Sequence, residues 1–411
     1  MRDGGRLAAA IGVLGDMEAR HKPARLALRA WGESARYAGA RDRAFVSGLV
    51  LDVLRRRRSL AWRMGEESDR ARAIAALRFA WDWTTERIAA AAAEGHGPGA
   101  LTDAESASLN APGALADAPP AVIGDYPDWL EPHMARAFGE DRAAEGEALA
   151  ARAPIDLRVN TLKTDVARAL KALEPFHARP AGRVETALRI DAPAAEMRAA
   201  PVEAAPEFER GWFEVQDLGS QIAAAAAGDI KGAQVLDFCA GGGGKTLALA
   251  AAMANTGQIW AYDSDARRLT DTVRRAQRAG VRNLQVRSPI HEGALAGLEG
   301  RMDLVFIDAP CTGSGTWRRH PDAKWRLNPA QLARRMAEQD AVLDGVASYV
   351  KPGGRLIWVT CSLFAEENED RVAAFLERTP GFEALGRAVR LGPRTDGTDG
   401  FFIVTLTRSG R

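Results

Sequence analysis

The stretch QVLDFCAGGGGKT (234–246) runs from a short apolar segment into four consecutive glycines and on into a helix-forming sequence. An apolar run of this length reads as a buried strand, and the glycines let the chain bend tightly into a helix start. Working outward, comparable runs recur at QIWAYD (258–263), LQVR (284–287), DLVFID (303–308) and RLIWVT (355–360). Helical patterns separate most of them; within 329–350, Leu332, Met336, Leu343, Val346 and Val350 form one apolar stripe. Near-continuously apolar strands alternating with helices predict an α/β fold with a doubly wound, mostly parallel sheet. Ligands of such sheets sit beyond the carboxyl ends of the strands, so the residues just after each strand carry the chemistry.

The bend Cys239, Ala240, Gly241, Gly242, Gly243, Gly244, Lys245 allows close backbone approach and offers helix-start amides to an anion. A phosphate-binding P-loop requires glycine at 239, where cysteine stands. A dinucleotide fingerprint from Gly241 requires Gly or Ala at 246, where threonine stands. S-Adenosyl-L-methionine is a third cofactor class that uses the device, with its carboxylate against the helix start. Its ribose hydroxyls call for an acid at the end of the next strand, a place that Asp263 fills. The competing reading is a tight structural turn beside a surface aspartate.

Further along, Asp308 and Cys311 follow one strand, and Cys361 follows another that is preceded by a Lys351-Pro352-Gly353-Gly354 turn. A single cysteine near a strand is usually a small buried hydrophobe. Two at one edge, with an acid and a glycine bend beside them, point to thiol chemistry. Lys245 is placed to lower a thiol pKa or to orient Asp308, unless it simply faces solvent at the helix start.

The remainder of the chain is less specific. Of its 411 residues, 46% are hydrophobic and 27% charged, which excludes a wholly disordered or fibrous protein. Lys and Arg number 55 against 54 Asp and Glu, so total charge predicts no partner, and any nucleic-acid surface depends on local clustering. The three cysteines contain no CxxC pair, which argues against a disulfide framework or a zinc knuckle, and no metal is expected. No apolar run reaches membrane-spanning length, and MRDGGRLAAAIGVLG (1–15) is a poor signal peptide, so a cytoplasmic monomer without membrane contact is expected. Residues 1 to about 90 are helical in pattern: Phe45, Leu49 and Val53, with Val46, Val50 and Leu54, share one face. Arg55-Arg56-Arg57-Arg58 is either a solvated face or an RNA-phosphate contact. Glu94 to about Asp125 is rich in Gly, Pro, Ala, Ser and Asp and reads as a flexible surface connector. DLRVN (156–160) and ALRID (187–191) belong to a small α/β bridge.

QDLGSQ (216–221), DFCAGGGGKT (237–246), DAPCTGSGTWRRHPDAKW (308–325) and TCSLFAEENED (360–370) together resemble the Sun/Nop-type RNA (cytosine-5) methyltransferases, in particular the bacterial ribosomal-RNA subgroup of the RsmB type. The resemblance covers residue 211 to the end, including DGFFIVTL (399–406). More faintly, the N-terminal 140 residues are similar to the NusB-like RNA-binding domain of that subgroup. The division this implies is a helical domain with connector at 1–140, an α/β bridge at 141–210 and a class I, Rossmann-like methyltransferase domain at 211–411.

The resemblance implies S-adenosylmethionine-dependent methylation of carbon 5 of cytosine in RNA, with 16S ribosomal RNA expected. That carbon is a poor nucleophile until a thiolate adds to carbon 6. By resemblance, Cys361 attacks, Cys311 assists elimination, and Asp308 hydrogen-bonds the pyrimidine and borders the cofactor. Cys239 to Lys245, with Asp263, would hold the cofactor. DNA enzymes instead pair a Pro-Cys nucleophile with a later Glu-Asn-Val, which is missing here. After Cys311, the basic residues Arg318, Arg319, Lys324, Arg326, Arg334 and Arg335 interleave with Trp317 and Trp325. Arg318, Arg319, His320 and Lys324 are the expected RNA contacts. Two positions depart from the family: Gly242 stands where proline is usual, and Val286-Arg287-Ser288-Pro289 lacks the acid that commonly holds adenine. The alternatives are a class I methyltransferase acting on a non-RNA substrate, and an RNA-binding factor with impaired catalysis.

Overall fold

The computed structural model describes residues 1–197 and 199–410. Two compact units emerge: Met1–Ala153 with Ala192–Ala199 and Thr316–Leu327, and Pro154–Asp191 with Ala200–Gly315 and Asn328–Arg411. Of the stretch expected as a bridge at 141–210, residues 141–153 and 192–199 group by contacts with the helices, and 154–191 and 200–210 with the large sheet.

The first unit is helical. Leu7, Ala10 and Leu14 of the helix Asp3–Arg20 bury against Phe45, Val46, Leu49 and Val50 of Ala40–Arg55 and Ile74 and Leu77 of Asp69–Phe79. Phe45 meets the Trp81 ring edge-on at 4.8 Å. The arginine run is spent largely inside this unit. Arg55 is buried, paired with Asp52 at 2.7 Å, and donates to the Arg318 carbonyl. Arg58 donates to the Tyr126 carbonyl and pairs with Asp128. The expected flexible connector also differs, because it contains a packed helix, Asp103–Asn110. A capping box holds its start, with the Thr102 hydroxyl accepting from the Glu105 amide and the Glu105 carboxylate from the Thr102 amide. Leu109 and Glu105 are buried, the latter paired with Arg70.

The second unit holds two sheets. The smaller comprises β1 (Ile155–Val159), β2 (Arg179–Pro180), β3 (Ala187–Ile190) and β4 (Phe213–Val215), in the antiparallel order β2-β3-β1-β4. The larger contains β5 (Gln234–Asp237), β6 (Gln258–Tyr262), β7 (Leu284–Arg287), β8 (Met302–Asp308), β9 (Val350–Thr360), β10 (Phe382–Ala384), β11 (Val389–Leu391) and β12 (Phe401–Arg408). Its order is β10-β12-β9-β8-β5-β6-β7, with β11 also on β12. β5 to β9 run parallel, whereas β12 returns antiparallel to β9. The order reverses between β5 and β8, the switch point where such sheets bind ligands. Val235, Leu236, Leu304, Val305, Phe306, Ile357 and Trp358 bury on both faces, which is why these strands carry near-continuous apolar runs. The Lys351–Gly354 stretch lies within β9, where the pairing with β8 shifts register. It is a bulge in a long strand rather than a turn ahead of a short one.

Candidate active site

Parallel pairing sets Asp237 beside Phe306 and Asp308 beside Val359, so β5, β8 and β9 end at one edge. Beyond them, Cys311 and Cys361 bring their Sγ atoms to 3.4 Å, both part-buried. The hydrogen bond Cys311 shares with Cys361, burial and the Cys361 charge push the Cys311 thiol well above its ordinary range. Lys245 is buried in the first turn of the helix Gly244–Ala252, with Nζ 2.7 Å from Asp308 Oδ2 and 5.3 Å from the Phe401 ring centre. Burial opposes its charge, but Asp308, and behind it Cys361, outweigh that and raise its pKa. Lysine, aspartate and two thiols therefore form one electrostatic group.

The glycine bend is built to its residues. Gly241 and Gly243 have φ of +54° and +83°, and a Cβ on Gly243 would stand 2.9 Å from Thr272 Cγ2. The Thr272 hydroxyl donates to the Gly241 carbonyl at 2.8 Å. Ala240 is buried, while Gly242 and Gly244 remain part-exposed. Burial, and then the charges of Asp237, Asp308 and Asp263, keep Cys239 protonated. Asp263 is 3% exposed; it accepts from the Gly241 amide at 2.8 Å, the Asp265 amide at 2.9 Å and Arg268 at 3.1 Å. Three bonds leave about one of a carboxylate's four acceptor positions open. Asp237 is fully buried and accepts from the Thr246 hydroxyl through Oδ2, while Oδ1 has no partner among the described residues. Burial pushes this carboxyl up to about 7, with help from Asp308 and against the Thr246 bond. A buried acceptor left open beside a bend that admits no side chain at Gly243 suits a small ligand carrying hydrogen-bond donors.

The sequence reading missed the group that joins the two cysteine loops. Glu367 is fully buried, and its Oε1 accepts from the Thr312 amide at 2.8 Å and Gln339 Nε2 at 3.1 Å. Its Oε2 accepts from the hydroxyls of Thr312 and Ser362. Thr312 follows Cys311 and Ser362 follows Cys361, so one carboxylate ties both loops, and Gln339 adds a bond to the Pro310 carbonyl. Across the same gap, the Gly315 amide donates to the Cys361 carbonyl at 2.9 Å.

The basic segment needs correction. Residues 316–327 pack within the helical unit, where Lys324 is 1% exposed and gives Nζ to the Arg55 carbonyl at 2.8 Å. Trp325 donates to the Leu54 carbonyl, and Arg318 is 4% exposed. Arg318 and Lys324 are thus interior residues and cannot present charge to phosphates. Arg319 is half-buried and His320 exposed. Among the described residues, no cluster of three or more His, Cys, Asp or Glu could hold a metal, and no helix is long and apolar enough to cross a membrane.

The strand order, the glycine bend at the switch point and the antiparallel last strand define a class I methyltransferase fold. Residues 228–407 match the family profile described as 16S rRNA methyltransferase RsmB/F, and residues 126–196 match the ferredoxin-like domain of RsmF/B-like methyltransferases. A probable ribosomal RNA small subunit methyltransferase B from Synechocystis is 33% identical over 311 residues, which cover 69% of this chain and 67% of that one. The chain belongs to the RsmB/F methyltransferase family. Ribosomal RNA small subunit methyltransferase B from Cronobacter sakazakii is 34% identical over 69% of this chain, which spans 66% of that relative's length. A methyltransferase homolog protein from Pyrococcus horikoshii superposes with a TM-score of 0.61 at 28% identity, covering 70% of this chain and 97% of that one.

Proposed function

We propose that the protein methylates carbon 5 of cytosine in 16S ribosomal RNA, using S-adenosylmethionine and a transient bond between Cys361 and carbon 6. The observation that carries this reading is the 3.4 Å approach of two thiols at the ligand edge, beside the Lys245–Asp308 pair. The names of the relatives support the substrate, and the family supports the reaction class. When bound, the cofactor supplies a methyl group on a positively charged sulfur. Cys239 to Lys245, Asp263 and the open oxygen of Asp237 would hold it.

In this reading the Cys361 thiolate donates its electron pair to carbon 6 and makes carbon 5 nucleophilic, with the Lys245–Asp308 pair beside it. Asp308 hydrogen-bonds the N3 and amino edge of the ring. After methyl transfer a solvent water takes the proton of carbon 5, the freed electron pair restores the ring double bond, and the sulfur of Cys361 departs with its electron pair. Cys311, kept as a thiol, hydrogen-bonds that departing sulfur. Glu367 fixes the spacing of the two loops without touching substrate, and Arg319 and His320 remain candidate RNA contacts. The test is incubation with 16S RNA and labelled S-adenosylmethionine, followed by nucleoside mass spectrometry. Labelled 5-methylcytidine is expected; label on another atom or nucleoside would overturn the proposal.

A further inference from the structure

Behind the glycine bend lies a cavity of about 730 Å³, whose lining includes Gly242, Phe208, Glu214, Arg275 and Arg278. A Cβ added at Gly242 would meet one neighbour within 4 Å, Arg275 Nη1 at 3.5 Å. The helix Ala266–Ala279 holds the bend from this side. Thr272 and Arg275, three residues apart and so on one helix face, take two successive carbonyls of the bend. The Thr272 hydroxyl donates to Gly241, and Arg275 Nη1 donates to Gly242 at 2.6 Å. A trans peptide sends its N–H opposite to its C=O, so these bonds orient the peptide planes that follow Gly241 and Gly242. The Gly243 amide closes on the Ala240 carbonyl at 2.9 Å, while the Gly242 amide has no partner among the described residues.

Arg275 is itself fixed by the smaller sheet. Its Nε and Nη2 both donate to Glu214 Oε2, at 3.2 and 2.9 Å. Glu214 lies on β4, opposite Arg158 of β1, and its side chain is 4% exposed. The same carboxylate also takes Arg278, whose guanidinium lies 3.8 Å from the centre of the Phe208 ring. The guanidinium is a rigid fork, so two nitrogens tied to a buried carboxylate hold the third at Gly242.

We propose that Arg275, fixed by Glu214, is a positioning residue for the methyl donor, holding the Gly242 peptide so that the bend has its cofactor-receiving shape before the cofactor arrives. A loop ordered in advance loses less freedom on binding, so the effect falls on cofactor affinity and not on the chemical step. The inference rests on the cofactor reading above and extends that site to the smaller sheet. Arg275 acts through Gly242 and takes no part in methyl transfer.

The test uses the full chain, calorimetry with S-adenosylmethionine and hydrogen exchange across 238–246. Arg275→Met keeps the apolar stem and removes the donors, and Glu214 retains Arg278, so the variant folds. Its cofactor Kd is expected to rise about tenfold, the loss of one charged hydrogen bond. KM for the cofactor should rise in step while kcat stays within about twofold. The Gly241 and Gly243 amides, bonded to Asp263 and Ala240, should exchange faster in the free variant and as in wild type once cofactor is saturating. Arg278→Met removes a comparable ion pair from the same carboxylate without a bond to the bend. It should keep wild-type affinity and exchange, whatever its thermal midpoint. Wild-type affinity in Arg275→Met, or an equal loss in Arg278→Met, would overturn the proposal and leave the cofactor reading standing. A wild-type chain that binds no S-adenosylmethionine would remove both.

Discussion

Replacing Glu367 separates shape from charge at the point where the two cysteine loops meet. Glu367→Ala deletes an acceptor shared by two N–H and two O–H donors in a fully buried place. The hydroxyls can turn toward one another, as Ser314 and Ser362 already do at 3.2 Å, but the Thr312 amide and the Gln339 amide group cannot. Two buried donors left unmet, plus the cavity, cost about 3–5 kcal/mol. That lowers the thermal midpoint by roughly 10 °C. With the sulfurs no longer held, a displacement of about 1 Å reduces turnover on the order of a hundredfold. Glu367→Gln keeps an oxygen toward both N–H donors and turns its NH2 toward hydroxyl oxygens, so its midpoint stays near wild type. It also removes a negative charge that helps to raise Cys311, so Cys311 alkylation shifts to lower pH. Differential scanning fluorimetry, single-turnover methyl transfer and alkylation across pH read these three effects. An alanine variant with unchanged midpoint and turnover would refute the clamp, and so would a glutamine variant as impaired as alanine.

Asp237 gives the chain a pH signature. Its folded carboxyl stands at about 7 against an ordinary 3.8, so the folded state holds the proton more tightly. The stability this contributes is complete below the ordinary value and is lost as pH rises toward 7. Thermal midpoints of Asp237→Asn should therefore change less than wild type between those limits, and parallel curves would contradict the assignment. Gly243→Ala forces a side chain into a left-handed position against Thr272. Calorimetry with S-adenosylmethionine should show affinity reduced about tenfold or more, and unchanged affinity would exclude the bend from the cofactor site. Lys324→Met leaves buried Asp125 without its neighbouring cation and the Arg55 carbonyl without a donor. It should destabilise by about 3–5 kcal/mol in thermal unfolding, and a neutral outcome would show that Lys324 is not the interior residue described.

The parallel sheet was legible because its central strands are buried on both faces and therefore carry short, nearly continuous apolar runs, a pattern that survives without tertiary knowledge. The site's skeleton was legible for the same reason, since whatever follows such strands lies at the ligand edge. Glu367 was not, because it stands in EENED beside Glu366, Glu369 and Asp370, and only the fold selects the one that turns inward. The helix Asp103–Asn110 lies in a Gly- and Pro-rich stretch, yet the TDAE start at 102–105 is a capping box that could have been read. The basic segment misled for a physical reason. Lysine and arginine are rarely interior, and Lys324 is so only because the Arg55 carbonyl at the end of the helix Ala40–Arg55 and the nearby Asp125 receive it.

The account depends on two neighbouring thiols having unequal tasks, and denaturing electrophoresis with labelled 16S RNA and S-adenosylmethionine tests that most directly. Cys311→Ala should accumulate a protein–RNA band that survives denaturation, because attack proceeds and release falters, while Cys361→Ala should give none. A persistent band from the Cys361 variant would reverse the roles, and no band from either would contradict the covalent route.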